Sequence, residues 1–275
     1  MITTLPSRAR FDLHMHTSHS DGKYAPEEVL QKAALGGLDV IAITDHDLIG
    51  AIEPGVHEVD GRRVHVIAAA EISGEHDGTE FHLLVYFPGA IPEGFQLFCE
   101  AQCRARAARY TEALGRIGKD GMLPPGPEAV QGNRSLTRLH LARALVAGGH
   151  ARHISDAFSR FVGDRSGNVP SLALPMTKAI EIARSFGGVT SWAHPRVASV
   201  KNHLGTFLDA GLQGIEGLRP RLGSRDRGNL RRDARRHGLF LTGGSDWHGW
   251  VDEDLGLFSL SQSDLGDFMD CLAAA

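Results

Sequence analysis

The chain has 275 residues, 42% of them hydrophobic, enough for one large core or for a barrel carrying a smaller insertion. Its formal charge of -4 gives no global basic field, which argues against broad non-specific nucleic-acid binding but leaves a compact phosphorylated ligand open. Three cysteines are too few, and odd in number, for a disulfide framework; residues 1–10 hold no apolar stretch, and no apolar run approaches about 18 residues, so a soluble cytoplasmic protein with no membrane contact is expected.

Strand and helix patterns alternate along the chain. Residues 11–15 predict a short strand entering His-x-His. Pro26 opens a helix that Gly36 and Gly37 end. The run at residues 39–44 (DVIAIT) has the β-branched, wholly apolar pattern of a strand buried on both faces. Residues 64–70 and 81–87 are further strands. The link between them, residues 74–80, is turn-like and too short for a parallel crossover, so the pair should be an antiparallel hairpin. Residues 92–119 predict a long helix, 118–133 a loop, and 136–146 and 153–161 two helices. The alternation then resumes, with strands at 189–193, 214–218 and 239–243 and helices at 177–186, 201–210, 225–237 and 263–272. Seven strands fit an α/β fold, a distorted (β/α)7 barrel. Residues 1–91 and 171–275 form that barrel, and residues 92–170 a helical insertion over its mouth. No Gly-x-Gly-x-x-Gly or Walker motif occurs.

Fifteen histidines are about twice the ordinary share for this length, and their placement is not random. His14 and His16 end the first strand and Asp21 follows. Asp45, His46 and Asp47 end the second, and Glu71 the third. His82 begins the fourth, His194 ends the fifth, and Asp246 and His248 follow the seventh. All fall on the rim where barrel enzymes carry their sites. Any one of these features alone means little. Their recurrence after six of seven strands points to bound divalent ions, because burying so many ionisable groups without ions is costly. Residues i and i+2 of a strand face one side, so His14 and His16 can grip one ion. The hairpin brings Glu71 beside His82. Six histidines and at least three carboxylates exceed the needs of one ion and would serve two or three. Imidazole and carboxylate donors suit Mn²⁺, Fe²⁺ or Zn²⁺. His19, His57, His65, His76, His150, His153, His203 and His237 receive no role.

These residues resemble a known family. His14-x-His16-Thr17-x-x-Ser20-Asp21-Gly22, Thr44-Asp45-His46-Asp47, Glu71, His82, His194-Pro195 and Ser245-Asp246-x-His248 are similar to the PHP (polymerase and histidinol phosphatase) family. The resemblance implies a distorted barrel with three ions, Mn²⁺ foremost and Fe²⁺ or Zn²⁺ as alternatives. One ion would take His14, His16, Glu71 and Asp246. A second would share Glu71 and add His82 and His194. The third would take Asp21, His46 and His248. Within the family, SLTRLHLARALV at residues 135–146 is similar to stand-alone members such as nucleoside 3′,5′-bisphosphate phosphatases and enzymes akin to RNase AM. The chain departs from them at Leu139, where a Pro is frequent, and at Arg196-Val197, where a Gly-Arg-Tyr run is frequent.

The expected activity is hydrolysis of a phosphate monoester of a small nucleotide, the 3′-phosphate of a nucleoside 3′,5′-bisphosphate. Ions of this class lower the pKa of bound water towards neutrality, and Asp246, His194 or bulk water could handle the leaving group's proton. The insertion supplies cations for the substrate. Arg104, Arg106 and Arg109 lie on one predicted helix, and Arg134 and Ser135 sit at a loop-to-helix junction suited to a second phosphate, with Arg138 and His140 following and Arg196 after His194-Pro195. The alternative is a 5′→3′ exoribonuclease on short RNA. A histidinol phosphatase and a metal-dependent C–N hydrolase rank lower. No stable protein partner is expected.

Overall fold

A computed structural model describes residues 5–6, 8–118, 135–163 and 166–275. In chain order it contains β1 (Arg10–Met15), α1 (Pro26–Leu35), β2 (Val40–Ile43), β3 (Gly55–Val59), β4 (Arg62–His76), β5 (Thr79–Phe87), α2 (Glu93–Gly118), α3 (Arg138–Ala147) and α4 (Ile154–Ala157), which runs on into a π turn at Phe158–Val162. Then follow α5 (Met176–Ser185), β6 (Val189–Trp192), α6 (Val197–Asp209), β7 (Gly214–Leu218), α7 (Ser224–His237), β8 (Phe240–Gly243), β9 (Leu260–Ser261) and α8 (Gly266–Ala274). No helix among the described residues is long and apolar enough to cross a membrane.

The strands form one sheet in the order β8-β7-β6-β5-β4-β2-β1-β9, with β3 paired to β4. The segment after β8 returns to β1: Asp246 N–H donates to the His14 carbonyl and His16 N–H to the Trp247 carbonyl, both at 2.9 Å. These bonds nearly close a barrel of seven strands, leaving β3 and β9 outside it. Every neighbouring pair in that barrel is parallel except those involving β5, which runs against β4 and β6.

The all-apolar pattern of β2 reflects its place, buried between β1 and β4. On the flank of β1, β2 and β4, Ile41, Ile43 and Val66 pack on Val29 and Ala33 of α1. Trp192, Ile215 and Leu83 pack beneath α5, α6 and α7 through Ile180, Phe207 and Leu230. Phe268 and Leu272 of α8 join Phe11, Tyr86 and Phe240 in a third cluster. Each such fully buried large side chain contributes roughly 1.5–3 kcal/mol. The helices between β5 and α5 hold a cluster of their own around Tyr110, Ile117, Leu136, Leu145 and Phe161.

Two strand boundaries differ from the sequence reading. β4 continues to His76, so residues 74–76 are strand, and the turn is only Asp77-Gly78, with φ of 50° and 72°. Positive φ at both central residues is the hairpin arrangement that Asp-Gly favours. Gly74 is a close-approach residue: a Cβ there would lie 2.7 Å from Met176 Cα at the start of α5. The strand β3 was not expected; it is a part-exposed strand joined to β4 through Asp60-Gly61, both also at positive φ. The expected loop at residues 118–133 lies, beyond its first residue, outside the described residues.

Candidate metal centre

The barrel rim re-aims its side chains at several points. Between Asp12 and Met15, β1 carries one residue more than β2 does between Ile41 and Ile43. Such a bulge shifts the strand's phase; beyond it His14 and His16 both reach the rim carboxylates. Asp47, His194 and Asp246, each just past a strand end, have φ of 51°, 32° and 54°. Left-handed backbone at non-glycine residues costs of order 1–3 kcal/mol each and clusters at functional sites.

Three groups of donor atoms converge there. In the first, Glu71 Oε2 and Asp246 Oδ1 each lie 3.3–3.4 Å from His14 Nε2 and His16 Nε2. In the second, Glu71 Oε1 lies 3.0 Å from both His82 Nδ1 and His194 Nε2, which are 3.2 Å apart. In the third, Asp21 Oδ1 is 3.3 Å from His248 Nε2 and Asp21 Oδ2 is 3.6 Å from His46 Nε2. His46 also faces Glu71 Oε2 through Nδ1 at 3.2 Å and could be grouped with Glu71 and His82. The tighter triangle around His194 makes the second group as given the better one. Ligands about 2.1 Å from one ion lie roughly 3.0–3.4 Å from each other, and the first two groups have that spacing. His14 Nε2, His16 Nε2, Asp21 Oδ1, His46 Nδ1 and Glu71 Oε2 are buried without a hydrogen-bond partner. Orphaned atoms of this kind are costly unless a cation satisfies them, so these donors fit divalent ions.

The donor groups lie close enough to perturb one another's protonation. Burial pushes the His16 imidazole down, but the carboxylates of Asp246 and Glu71, both 3.3 Å from Nε2, lift it to about 10. His82 is lifted in the same way to about 9, chiefly by Glu71. Burial pushes Glu71 and Asp21 up, and the surrounding imidazoles hold both well below the usual carboxylate range. His46 lies well below its ordinary value because burial dominates over Glu71 and Asp21.

A second ring of residues holds the donors, and sequence reasoning missed most of it. Glu216, wholly buried on β7, meets His14 Nδ1 at 2.9 Å and accepts the His194 N–H at 2.7 Å. A carboxylate on the far nitrogen fixes the tautomer and raises the basicity of a ligand imidazole. Glu80 does the same for His82, 3.3 Å from Nε2. Asp45 accepts from Thr17 N–H, Thr17 Oγ1 and Ser20 Oγ at 2.8, 2.6 and 2.5 Å, fixing the loop that carries Asp21. Asp12, its carboxyl pushed up to about 7 by burial, accepts the Ser245 N–H at 2.8 Å beside Asp246. The one signal available was a lone carboxylate in an otherwise apolar strand, Gly-Ile-Glu-Gly-Leu.

The PHP domain model matches residues 12–113. That stretch of the chain is similar to PHP domains. It is 29% identical over 252 residues to the 5′-3′ exoribonuclease Rnm of Escherichia coli, covering 86% of this chain and 85% of that one. It is 26% identical over 250 residues to the 3′,5′-nucleoside bisphosphate phosphatase of Chromobacterium violaceum, covering 87% of each. A solved structure from Bifidobacterium adolescentis, described as a candidate metal-dependent phosphoesterase, superposes with a TM-score of 0.79 at 26% identity, over 97% of both chains. The protein is accordingly a metal-dependent hydrolase of the phosphoesterase kind.

On the substrate side of the PHP centre the residues are less uniform. Arg134 lies outside the described residues. Ser135 is buried and donates its N–H to the His19 carbonyl at 2.9 Å. Arg138 reaches Glu80 Oε1 at 3.5 Å and Arg109 reaches Glu80 Oε2 at 2.8 Å, so α2 and α3 bring two guanidiniums to the carboxylate that meets His82. His140 accepts the Thr137 N–H at 3.1 Å and helps close the N-terminus of α3. Arg196 is exposed at the start of α6, on the rim that carries His194. Arg104 is not brought to the centre: its side chain is 73% exposed and pairs with Glu100 one turn earlier. The neighbouring Arg106 points inward instead, buried against Asp47, Ser73 Oγ and the Leu136 carbonyl. Arg143 stacks 3.2 Å over the ring of Trp250, whose Nε1 donates to the Asp21 carbonyl at 2.7 Å.

Proposed function

We propose that this PHP centre binds three divalent ions, Mn²⁺ before Fe²⁺ or Zn²⁺, and removes the 3′-phosphate of a nucleoside 3′,5′-bisphosphate. His14, His16, Glu71 and Asp246 would hold the first ion, Glu71, His82 and His194 the second, and Asp21, His46 and His248 the third. The observation that carries the reading is the set of buried, unpartnered donor atoms at ligand spacing around Glu71 Oε2, with His82 and His194 3.0 Å from its other oxygen. Bound ions of this class supply Lewis-acid polarisation of a phosphoryl group and acidify water.

The chain's own residues do the rest. Asp246 and His194 are the two most exposed donors of the cluster, with side chains 40% and 35% accessible. They are therefore the groups placed to meet an incoming ester and to hold or release the proton of its leaving group. Arg109 and Arg138 bring positive charge to the edge next to His82, where the second phosphate of a bisphosphate would be drawn. Arg134, Ser135 and Arg196 complete the proposed phosphate contacts. The helices between residues 92 and 170, tied down through Arg106 and Arg143, would cover the mouth and favour a short ligand.

A second reading, a 5′→3′ exoribonuclease on short RNA, is favoured by the printed name of the E. coli relative. Side-by-side assays with Mn²⁺ on a nucleoside 3′,5′-bisphosphate, a 5′-phosphorylated short RNA, histidinol phosphate and an N-acyl compound test the choice. Inorganic phosphate released fastest from the bisphosphate supports the first reading. Stepwise release of mononucleotides with the bisphosphate untouched replaces it with the second. Arg138→Ala and Arg134→Ala should slow the bisphosphate more than a monophosphate; equal effects on both would remove the arginines from phosphate recognition.

A further inference from the structure

A second convergence of metal-binding side chains lies well away from the rim. His76 closes β4, Asp77 is the first turn residue of the β4–β5 hairpin, and His203 lies on α6. Six residues of extended strand separate Glu71 from Asp77, about 20 Å along the chain, so these side chains are not part of the centre described above.

Their geometry is specific. His76 Nε2 and His203 Nδ1 both face one oxygen, Asp77 Oδ2, at 3.6 and 3.9 Å. Those distances are too long for hydrogen bonds. They are slightly wider than the separation of two ligands sharing an ion, roughly 3.4 Å, and an exposed carboxylate can move that far. One donor atom from each of the three lies within 4.8 Å of the others. The imidazoles are held in place by aromatic packing. Their rings meet edge to face at 5.2 Å, and both lean on Phe207, which is fully buried, with Phe81 beside His203. Asp77 is fixed by the turn and is 73% exposed, leaving the remaining positions to water. The Glu75 carboxylate is engaged by the Gly78 N–H and does not compete.

We propose that His76, Asp77 and His203 form a peripheral site for a transition-metal ion, Zn²⁺ by preference, which pins the tip of the β4–β5 hairpin to α6. Two imidazoles and one carboxylate with open water positions suit Zn²⁺ and not Mg²⁺, which prefers all-oxygen ligands.

The test is metal content after gel filtration in micromolar Zn²⁺, on the full chain and on Asp77→Asn and His203→Ala. Asparagine tolerates positive φ and keeps the turn, so Asp77→Asn reports on the ligand without disturbing the fold. The wild type should hold about one Zn²⁺ more than either variant, with an anomalous peak at the zinc edge between the three donors in crystals. Mg²⁺ in place of Zn²⁺ should add nothing there, and hydrolytic activity of the variants should stay at the wild-type level. Equal zinc content in all three proteins, no peak between the donors, or equal filling by Mg²⁺ would each overturn the proposal.

Discussion

Glu216→Gln separates the role of a buried carboxylate from that of the ligands it holds. Glu216 Oε1 meets His14 Nδ1 at 2.9 Å and Oε2 accepts the His194 N–H at 2.7 Å. Glutamine keeps one oxygen and turns an NH₂ towards the other donor. One buried N–H then loses its acceptor, which costs about 1–3 kcal/mol. Losing such an outer partner weakens metal binding about 10–100-fold, or about 1.4–2.8 kcal/mol, so a single lost acceptor accounts for the whole effect. Calorimetric titration of the metal-free variant with Mn²⁺ should show the ion held by His14 weakened by that factor. The melting temperature should drop by about 2–12 °C, at about 2–4 °C per kcal/mol for a chain of this size. If the drop in melting temperature occurs while Mn²⁺ binds as in the wild type, Glu216 supports the fold and not the ligand, and the reasoning fails.

Glu71→Gln should reduce metal content from about three equivalents to about one, since its two oxygens serve two donor groups; full retention by elemental analysis would remove Glu71 as the shared ligand. Arg106→Ala leaves Asp47 buried without its counter-charge, a loss of about 3–5 kcal/mol, and a melting temperature within about 2 °C of wild type would contradict the pairing. In the metal-free protein His16 and His82 are raised to about 10 and about 9. Their stabilising contribution is complete below pH 6.5 and is lost as pH rises through 9 to 10. Ions must displace those protons, so Mn²⁺ affinity should rise with pH between 6.5 and 9, and calorimetry in two buffers of different ionisation enthalpy should detect proton release. Complete chelation should abolish hydrolysis and Mn²⁺ should restore it; activity that survives demetallation would refute the metal-centred reading.

The fold was legible where a pattern is local. Residues 39–44 announce a doubly buried strand, and Pro26 with Gly36 brackets α1. Most rim donors were legible because they follow a strand end, in short motifs whose residue types have few other uses together; Glu71 and His82, expected at strand ends, lie instead within β4 and β5, because the hairpin extends beyond them. What escaped the sequence depends on distant partners. Nothing near Glu216 indicates that its neighbour is His14, 202 positions earlier. Gly74 reads as a turn residue until α5 is seen to pass over it. Arg104 and Arg106 are two apart on one helix. Which of them turns inward is decided by Asp47, on a different element, and not by anything local to α2.

The same dependence on distant partners gives the centre its energetics. The donors come from seven segments of chain, and holding them together has a cost. Three of the rim residues hold left-handed backbone, and five buried donor atoms lack partners. Each ion that binds only the folded state adds about 2.7 kcal/mol at a hundredfold excess over its dissociation constant. The gains are not independent, because Glu71 offers one oxygen to each of two groups. An ion seated between His14 and His16 orients that carboxylate and so prepares its other oxygen for the ion between His82 and His194. Filling should therefore be ordered and cooperative, with Glu71 the coupling element. The hairpin that brings Glu71 to His194 is the part of the fold on which the first two donor groups depend.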